Sequence, residues 1–214
     1  MIFLNLKTYR ESTGKNAVKI LSFLKEIKTK IKLIPLVQAT DIFRVKKELG
    51  IEVWAQSVDP IEEGRATGYV SAFSLKEAGA SGVLINHSEH KLEKEAIFFV
   101  IKKAKENNLK TLLVGHNERM VVEFDQLPVD FLAYEDEKLI ATETSIVENQ
   151  ALLIKNLAKK LKHPLIIGSG MKSGKDVKNA LLCGAKGILI ASHFVKAKSP
   201  KDKLKELIVA FDNF

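Results

Sequence analysis

The chain has 214 residues, 46% of them hydrophobic, so it can bury a large core, and its one cysteine (Cys183) excludes an internal disulfide. Its net charge is +8, but the lysines recur at helical spacing (Lys25, Lys28, Lys30, Lys32; Lys102, Lys103, Lys105) rather than clustering with aromatics or glycines. Solvated helix faces are therefore expected, with no nucleic-acid partner, and the positive field suits an anionic metabolite.

The start, Met1-Ile2-Phe3-Leu4-Asn5-Leu6-Lys7, lacks the charged region of a secretory leader, and apolar runs such as Ala96–Ile101 are too short to cross a bilayer. A cytoplasmic protein without a membrane partner is expected. The first apolar run, Ile2–Leu6, is followed by others at Leu33–Val37, Val53–Gln56, Val83–Ile85, Thr111–Val114, Phe131–Tyr134, Leu165–Ile167 and Ile188–Ala191. Each is apolar on both faces, as buried parallel strands are. Their return every roughly 20–35 residues suits βα units.

Between the runs the period becomes helical. Ala17, Leu21, Leu24, Ile27 and Ile31 share one face; so do Leu92, Ala96, Phe99 and Val100. Val147, Ala151, Ile154 and Ala158 form a third stripe, and Leu204, Leu207, Ile208 and Phe211 a fourth. Gly50, Gly79 and Gly184 stand where helices should stop, and Ser173-x-x-Asp176 resembles a capping box. The segment Gly79–Ile85 is echoed at Gly184–Ile190, which fits two half-barrels or a shared local helix-to-strand need. Eight alternating units without edge-strand signals predict one α/β domain over residues 1–214, a closed parallel (β/α)8 barrel; an open doubly wound sheet shares the periodicity.

In such a barrel the chemistry gathers at the carboxyl ends of the strands. Those ends carry Asn5 and Lys7; Asn86, His87, Ser88 and Glu89; Glu135; Gly168-Ser169-Gly170; and Ala191-Ser192-His193. Taken singly, Lys7 reads as a surface lysine or a charge at the site, His87 as a core histidine or an acid–base group, and Glu135 as a helix-start carboxylate or a base. The Gly-Ser-Gly turn is a plain turn or a nest of amides for phosphate. His87-x-x-His90 has no third ligand nearby, so no metal is expected. Ser88 is not read as a nucleophile, Cys183 reads as a packing residue, and Trp54 as a core or interface residue. Together a carboxylate, an imidazole, a lysine and a phosphate nest suit proton abstraction beside a carbonyl, without a cofactor.

At these residues the chain resembles the triosephosphate isomerase family in its short archaeal form, and so implies a TIM barrel. The resemblance runs nearly end to end: Asn5-Leu6-Lys7-Thr8-Tyr9, Ala55-Gln56-Ser57-Val58-Asp59-Pro60, Gly64-Arg65-Ala66-Thr67-Gly68, Asn86-His87-Ser88-Glu89, Ala133-Tyr134-Glu135, Gly168-Ser169-Gly170-Met171 and Ala191-Ser192. It implies isomerisation of a phosphorylated triose, in glycolysis and gluconeogenesis, with Glu135 as base, His87 as neutral electrophile, Lys7 as compensating charge and Glu89 in the network beneath. It further implies substrate contacts from Asn5, Leu6, Lys7, Ile140, Gly170, Ala191 and Ser192. Thr67 would reach a neighbouring subunit of a homodimer or homotetramer.

The lid departs from the family pattern of proline after the base and Ile-Gly-Thr-Gly beyond. Here it reads Glu135-Asp136-Glu137-Lys138-Leu139-Ile140-Ala141-Thr142-Glu143. Glycine permits backbone angles that alanine and glutamate resist, so a functional but slower lid is expected. Placing glycine at 141 and 143 should raise turnover; unchanged turnover, or closure as fast as in a glycine-bearing relative, would contradict this. Two rivals follow from the same residues: another phosphate-binding barrel, and a barrel that has lost catalysis and binds through its basic surface. Asn5-x-Lys7 with His87-Ser88-Glu89 argues against the first, and the joint presence of Lys7, His87 and Glu135 against the second.

Overall fold

Eight parallel strands close on themselves in chain order: β1 (Ile2–Asn5), β2 (Leu33–Val37), β3 (Trp54–Ala55), β4 (Gly82–Ile85), β5 (Lys110–Gly115), β6 (Phe131–Tyr134), β7 (Leu165–Ile167) and β8 (Gly187–Ile190). β8 pairs back onto β1, with Phe3 opposite Leu189, which decides for the barrel over the open sheet. This computed structural model describes residues 1–139 and 145–214. Around the barrel run α1 (Lys15–Leu21), α2 (Ala39–Leu49), α3 (Ala72–Glu77), α4 (Lys94–Glu106), α5 (Glu118–Phe124), α6 (Ile146–Asn149), α7 (Ala151–Lys160), α8 (Gly174–Leu182), α9 (Ser192–Val195) and α10 (Pro200–Asp212). No helix among the described residues is long and apolar enough to cross a membrane.

Strand alternation divides the core in two. Phe3, Leu36, Leu84, Val114 and Ile166 fill the barrel, while Leu4, Val37, Ile85 and Ile167 face the helices. Phe3, Trp54 and Phe131 pack together inside, with ring centroids 5.4–6.1 Å apart. The buried Trp54 indole donates its N–H to Glu52 at 3.0 Å, so it is a barrel residue. A Cβ at Gly82 would lie 2.4 Å from that indole, and one at Gly187 would lie 2.5 Å from the Met1 carbonyl. Gly79 and Gly184, at φ 97° and 94°, end the preceding helices. The repeated Gly-x-x-Gly thus answers a shared local need: a left-handed helix stop, then a strand start without room for a side chain.

Three predicted stripes differ in detail. The first helix ends as a 3-10 turn at Ser22–Glu26, short of Ile27 and Ile31. There the Thr29 hydroxyl accepts the Ile31 amide at 3.0 Å, an alternative to helical bonding. In α4 the core face is Ile97, Val100, Ile101 and Ala104; Leu92 precedes the helix, and Ala96 and Phe99 sit at its rim. The stripe after β6 is cut into α6 and α7 at Gln150, whose side chain bonds Tyr134 and Asp136, and Ala151 is exposed.

The capping box at α8 is present: Ser173 accepts the Asp176 amide, and Asp176 accepts the Ser173 amide. It anchors the loop that follows β7. Ser173→Ala is expected to cost about 1 kcal/mol of stability, measurable by denaturant unfolding; an unchanged midpoint would show the box to be idle.

Candidate active site

The period of β1 places the first functional group. With Phe3 inside the barrel, Asn5 and Lys7 follow at its mouth, and Leu6 must point the other way. Leu6 is fully buried in the core shared with the helices, and its side chain lines neither mouth cavity. Lys7 itself sits at φ 46°, a strained angle for a side-chain-bearing residue. Its amide donates to Asn5 Oδ1 at 3.0 Å, and its carbonyl accepts from Gln56 Nε2 at 3.0 Å, which holds the turn. The ammonium then reaches Glu89 Oε1 at 2.7 Å.

At the end of β4 the chain turns through Asn86, at φ 60°, and presents His87. The Glu89 amide donates to His87 Nδ1 at 3.1 Å. Nδ1 is therefore an acceptor, and the neutral ring carries its proton on Nε2. Burial, then the neighbouring Lys7 charge, lower the His87 pKa to about 4, against an opposing pull from Glu89. The imidazole is thus an uncharged donor across the neutral range.

Glu135 follows β6 and is 4% exposed. Its Oε2 stands 3.3 Å from His87 Nε2 but is not aligned as a hydrogen bond and has no partner among the described residues. Burial raises the Glu135 pKa to about 7; Lys7 and the Ser169 backbone offset part of that rise, while Glu89 adds to it. A carboxylate poised near neutrality beside a neutral imidazole donor can take a proton from carbon while the adjacent oxygen is polarised.

Beyond β7 and β8, Ser169 and Gly170 turn through φ 62° and 67°, and Ala191, Ser192 and His193 begin α9. A cavity of about 60 Å³ is lined by Lys7, His87, Glu135, Gly170, Ala191 and Ser192, among others. A second, of about 450 Å³, shares Lys7 and His87 and adds Asn5, Gln56 and Glu89. Of the predicted site residues that are described, the structure therefore brings all to one mouth, with the Leu6 side chain turned to the core. Ile140 and the altered lid positions 141–143 fall outside the described residues. Thr67 is exposed on the loop between β3 and α3 and lines neither cavity. His90 lines the second cavity, and no group of three or more His, Cys, Asp or Glu able to hold a metal occurs among the described residues.

Three residues at the mouth escaped the sequence reading. Gln56 secures Lys7, as above. Gly168, read only as part of the turn, lies beneath the base: a Cβ there would sit 2.4 Å from Glu135 Oε1. His116 directly follows β5; its ring bonds the Asn86 carbonyl at 2.9 Å and lies 3.1 Å from Glu137. Applying the strand-end rule to Val114-Gly115-His116 would have found it.

The sequence model of the triosephosphate isomerase family matches residues 1–210. Triosephosphate isomerases from Methanobrevibacter smithii and Methanothermus fervidus are 35% and 36% identical over 217 residues, with 97% of each chain covered. That of Saccharolobus solfataricus is 33% identical over 98% of this chain and 95% of its own. The crystal structure of the Bartonella henselae triosephosphate isomerase superposes with a TM-score of 0.72 at 23% identity, covering 95% of this chain and 98% of that one, a likeness of fold. Matched along nearly its whole length by the family and by relatives of its own size, the chain belongs to the triosephosphate isomerase family.

Proposed function

We propose that this protein interconverts dihydroxyacetone phosphate and glyceraldehyde 3-phosphate by proton transfer through an enediolate, in glycolysis and gluconeogenesis. The observation that carries the reading is the pairing of a buried carboxylate, Glu135, with a neutral imidazole donor, His87, 3.3 Å apart beside the Lys7 ammonium. Glu135 removes the proton from the carbon next to the carbonyl and returns it to the neighbouring carbon. His87 Nε2–H donates to the oxygen on which charge develops, and Lys7 offsets the charge of the phosphate and the enediolate. The amides around Gly170, Ala191 and Ser192 receive the phosphate, while Asn5 and Glu89 keep Lys7 in place. Leu6 supports the site from the core. Thr67, exposed on its loop, would meet a second copy in a homodimer or homotetramer.

A coupled assay of glyceraldehyde 3-phosphate isomerisation, with phosphoglycolate as inhibitor, tests the reading. Turnover competed by phosphoglycolate is expected. A folded protein that binds phosphoglycolate yet turns over neither triose would point instead to another phosphorylated carbonyl.

The pH dependence follows from the base. Only ionised Glu135 can abstract a proton, and its pKa is raised to about 7. The free enzyme's kcat/KM should therefore rise with pH through about 7, while His87 stays neutral down to about 4. An acid limb centred near 4.5, the ordinary carboxylate value, would remove Glu135 from that role.

A further inference from the structure

His116 lies where β5 hands the chain to α5, between the end of β4 and the segment that follows β6, because β5 pairs with both strands. Its two ring nitrogens face oxygen atoms on either side. Nε2 is 2.9 Å from the Asn86 carbonyl, one residue before His87. Nδ1 is 3.1 Å from Glu137 Oε1, two residues after the base. A carbonyl oxygen only accepts, so the proton of a neutral ring belongs on Nε2. Nδ1 then offers a lone pair to a carboxylate oxygen, which repels it. Only the imidazolium satisfies both contacts.

We propose that His116 is a positioning residue of the isomerase site: its protonated imidazole clamps Glu137 to the Asn86 carbonyl and so holds the segment after the base against the strand that carries His87. The proposal rests on the reading of Glu135 as the base. Asn86 is a firm anchor, since its side-chain amide donates to the Val114 carbonyl at 2.9 Å and its side-chain oxygen accepts the Leu92 amide at 2.9 Å. Glu137 is also held by Lys91 Nζ at 2.7 Å.

The clamp matters because the substrate needs the space it guards. Glu135 Oε2 and His87 Nε2 are 3.3 Å apart, a gap too small for a substrate carbon and oxygen that need about 3 Å from each group. The Glu135 carboxylate has to shift when substrate arrives, and a Glu137 held two residues further on resists any movement of the backbone between them. The groups whose charge bears on His116 are Glu137 from the turn after β6, Lys91 from the connection between β4 and α4, and His87 at the end of β4. From α5, Met120 presents its sulfur to the His116 amide. Burial lowers the His116 pKa below its usual value, against the Asn86 carbonyl and Glu137, which favour the charged ring. The clamp therefore closes as pH falls and opens as it rises.

Two variants and a pH series test this. His116→Gln keeps a donor at the position of Nε2 and removes the titrating nitrogen; Glu137→Ala removes the clamped carboxylate. The ratio of variant to wild-type kcat should climb about tenfold as pH falls from 8 to 5, because each variant loses one inhibitory proton. Glu135 and the substrate phosphate titrate in both proteins and cancel in the ratio. A ratio that stays flat with pH in either folded variant overturns the clamp. Failure of the underlying base assignment is separately visible, as wild-type turnover in Glu135→Gln.

Discussion

Glu135→Gln is expected to lower kcat by about 10³- to 10⁴-fold while phosphoglycolate binding largely survives. The amide fills the same space but cannot accept a proton from carbon. The same change should stabilise the fold. A carboxylate whose pKa rises from 4.5 to about 7 on folding binds its proton more tightly in the native state. Stability therefore falls as pH rises through that window, and the penalty is complete above about 7, at roughly 3 kcal/mol. A neutral amide does not carry it, so at pH 8 the variant should melt higher than wild type, by an amount that shrinks towards pH 4. Calorimetry across that range, beside the coupled assay, reads both effects. Lost turnover with no pH-dependent gain in stability would mean that Glu135 is not held in a desolvated seat; retained turnover would remove it as the base.

Gly168→Ala is expected to lower kcat by about 10²-fold with little change in the affinity for phosphoglycolate. The added methyl would stand 2.4 Å from Glu135 Oε1, 2.5 Å from its Cγ and 2.8 Å from its Cδ. Such contacts cannot be kept, and Gly168 is fixed by its own amide, which donates to the Tyr134 carbonyl at 3.0 Å. The carboxylate must move by an ångström or more, which is enough to spoil proton transfer. The acid limb of the pH profile should shift as well, because a displaced Glu135 is no longer desolvated in the same way. Unchanged kcat and an unchanged limb would show that the base has room elsewhere. Reduced phosphoglycolate affinity with kcat intact would return Gly168 to the phosphate turn, where the sequence alone had placed it.

Glu135 was legible in the sequence; its seat over Gly168 was not. The order of strands, the barrel, and Asn5, Lys7, His87, Glu135 and the two small-residue turns were legible in the sequence. Apolar period and helix-stop glycines are local, and in a parallel barrel every strand end is delivered to the same mouth whatever the details of packing. The same local pattern overran wherever a side chain bonded to its neighbourhood instead of the helix, as Thr29 and Gln150 do. The tautomer of His87 is set two residues along, by the Glu89 amide, whereas the seat of Glu135 over Gly168, the support of Lys7 by Gln56 and the bridge through His116 join residues far apart in sequence. These last three depend on close approach between groups at the ends of different strands, which only closure of the barrel sets. The sequence determined which chemical groups stand at the mouth; the tertiary structure decided their protonation, their spacing and the residues that hold them there.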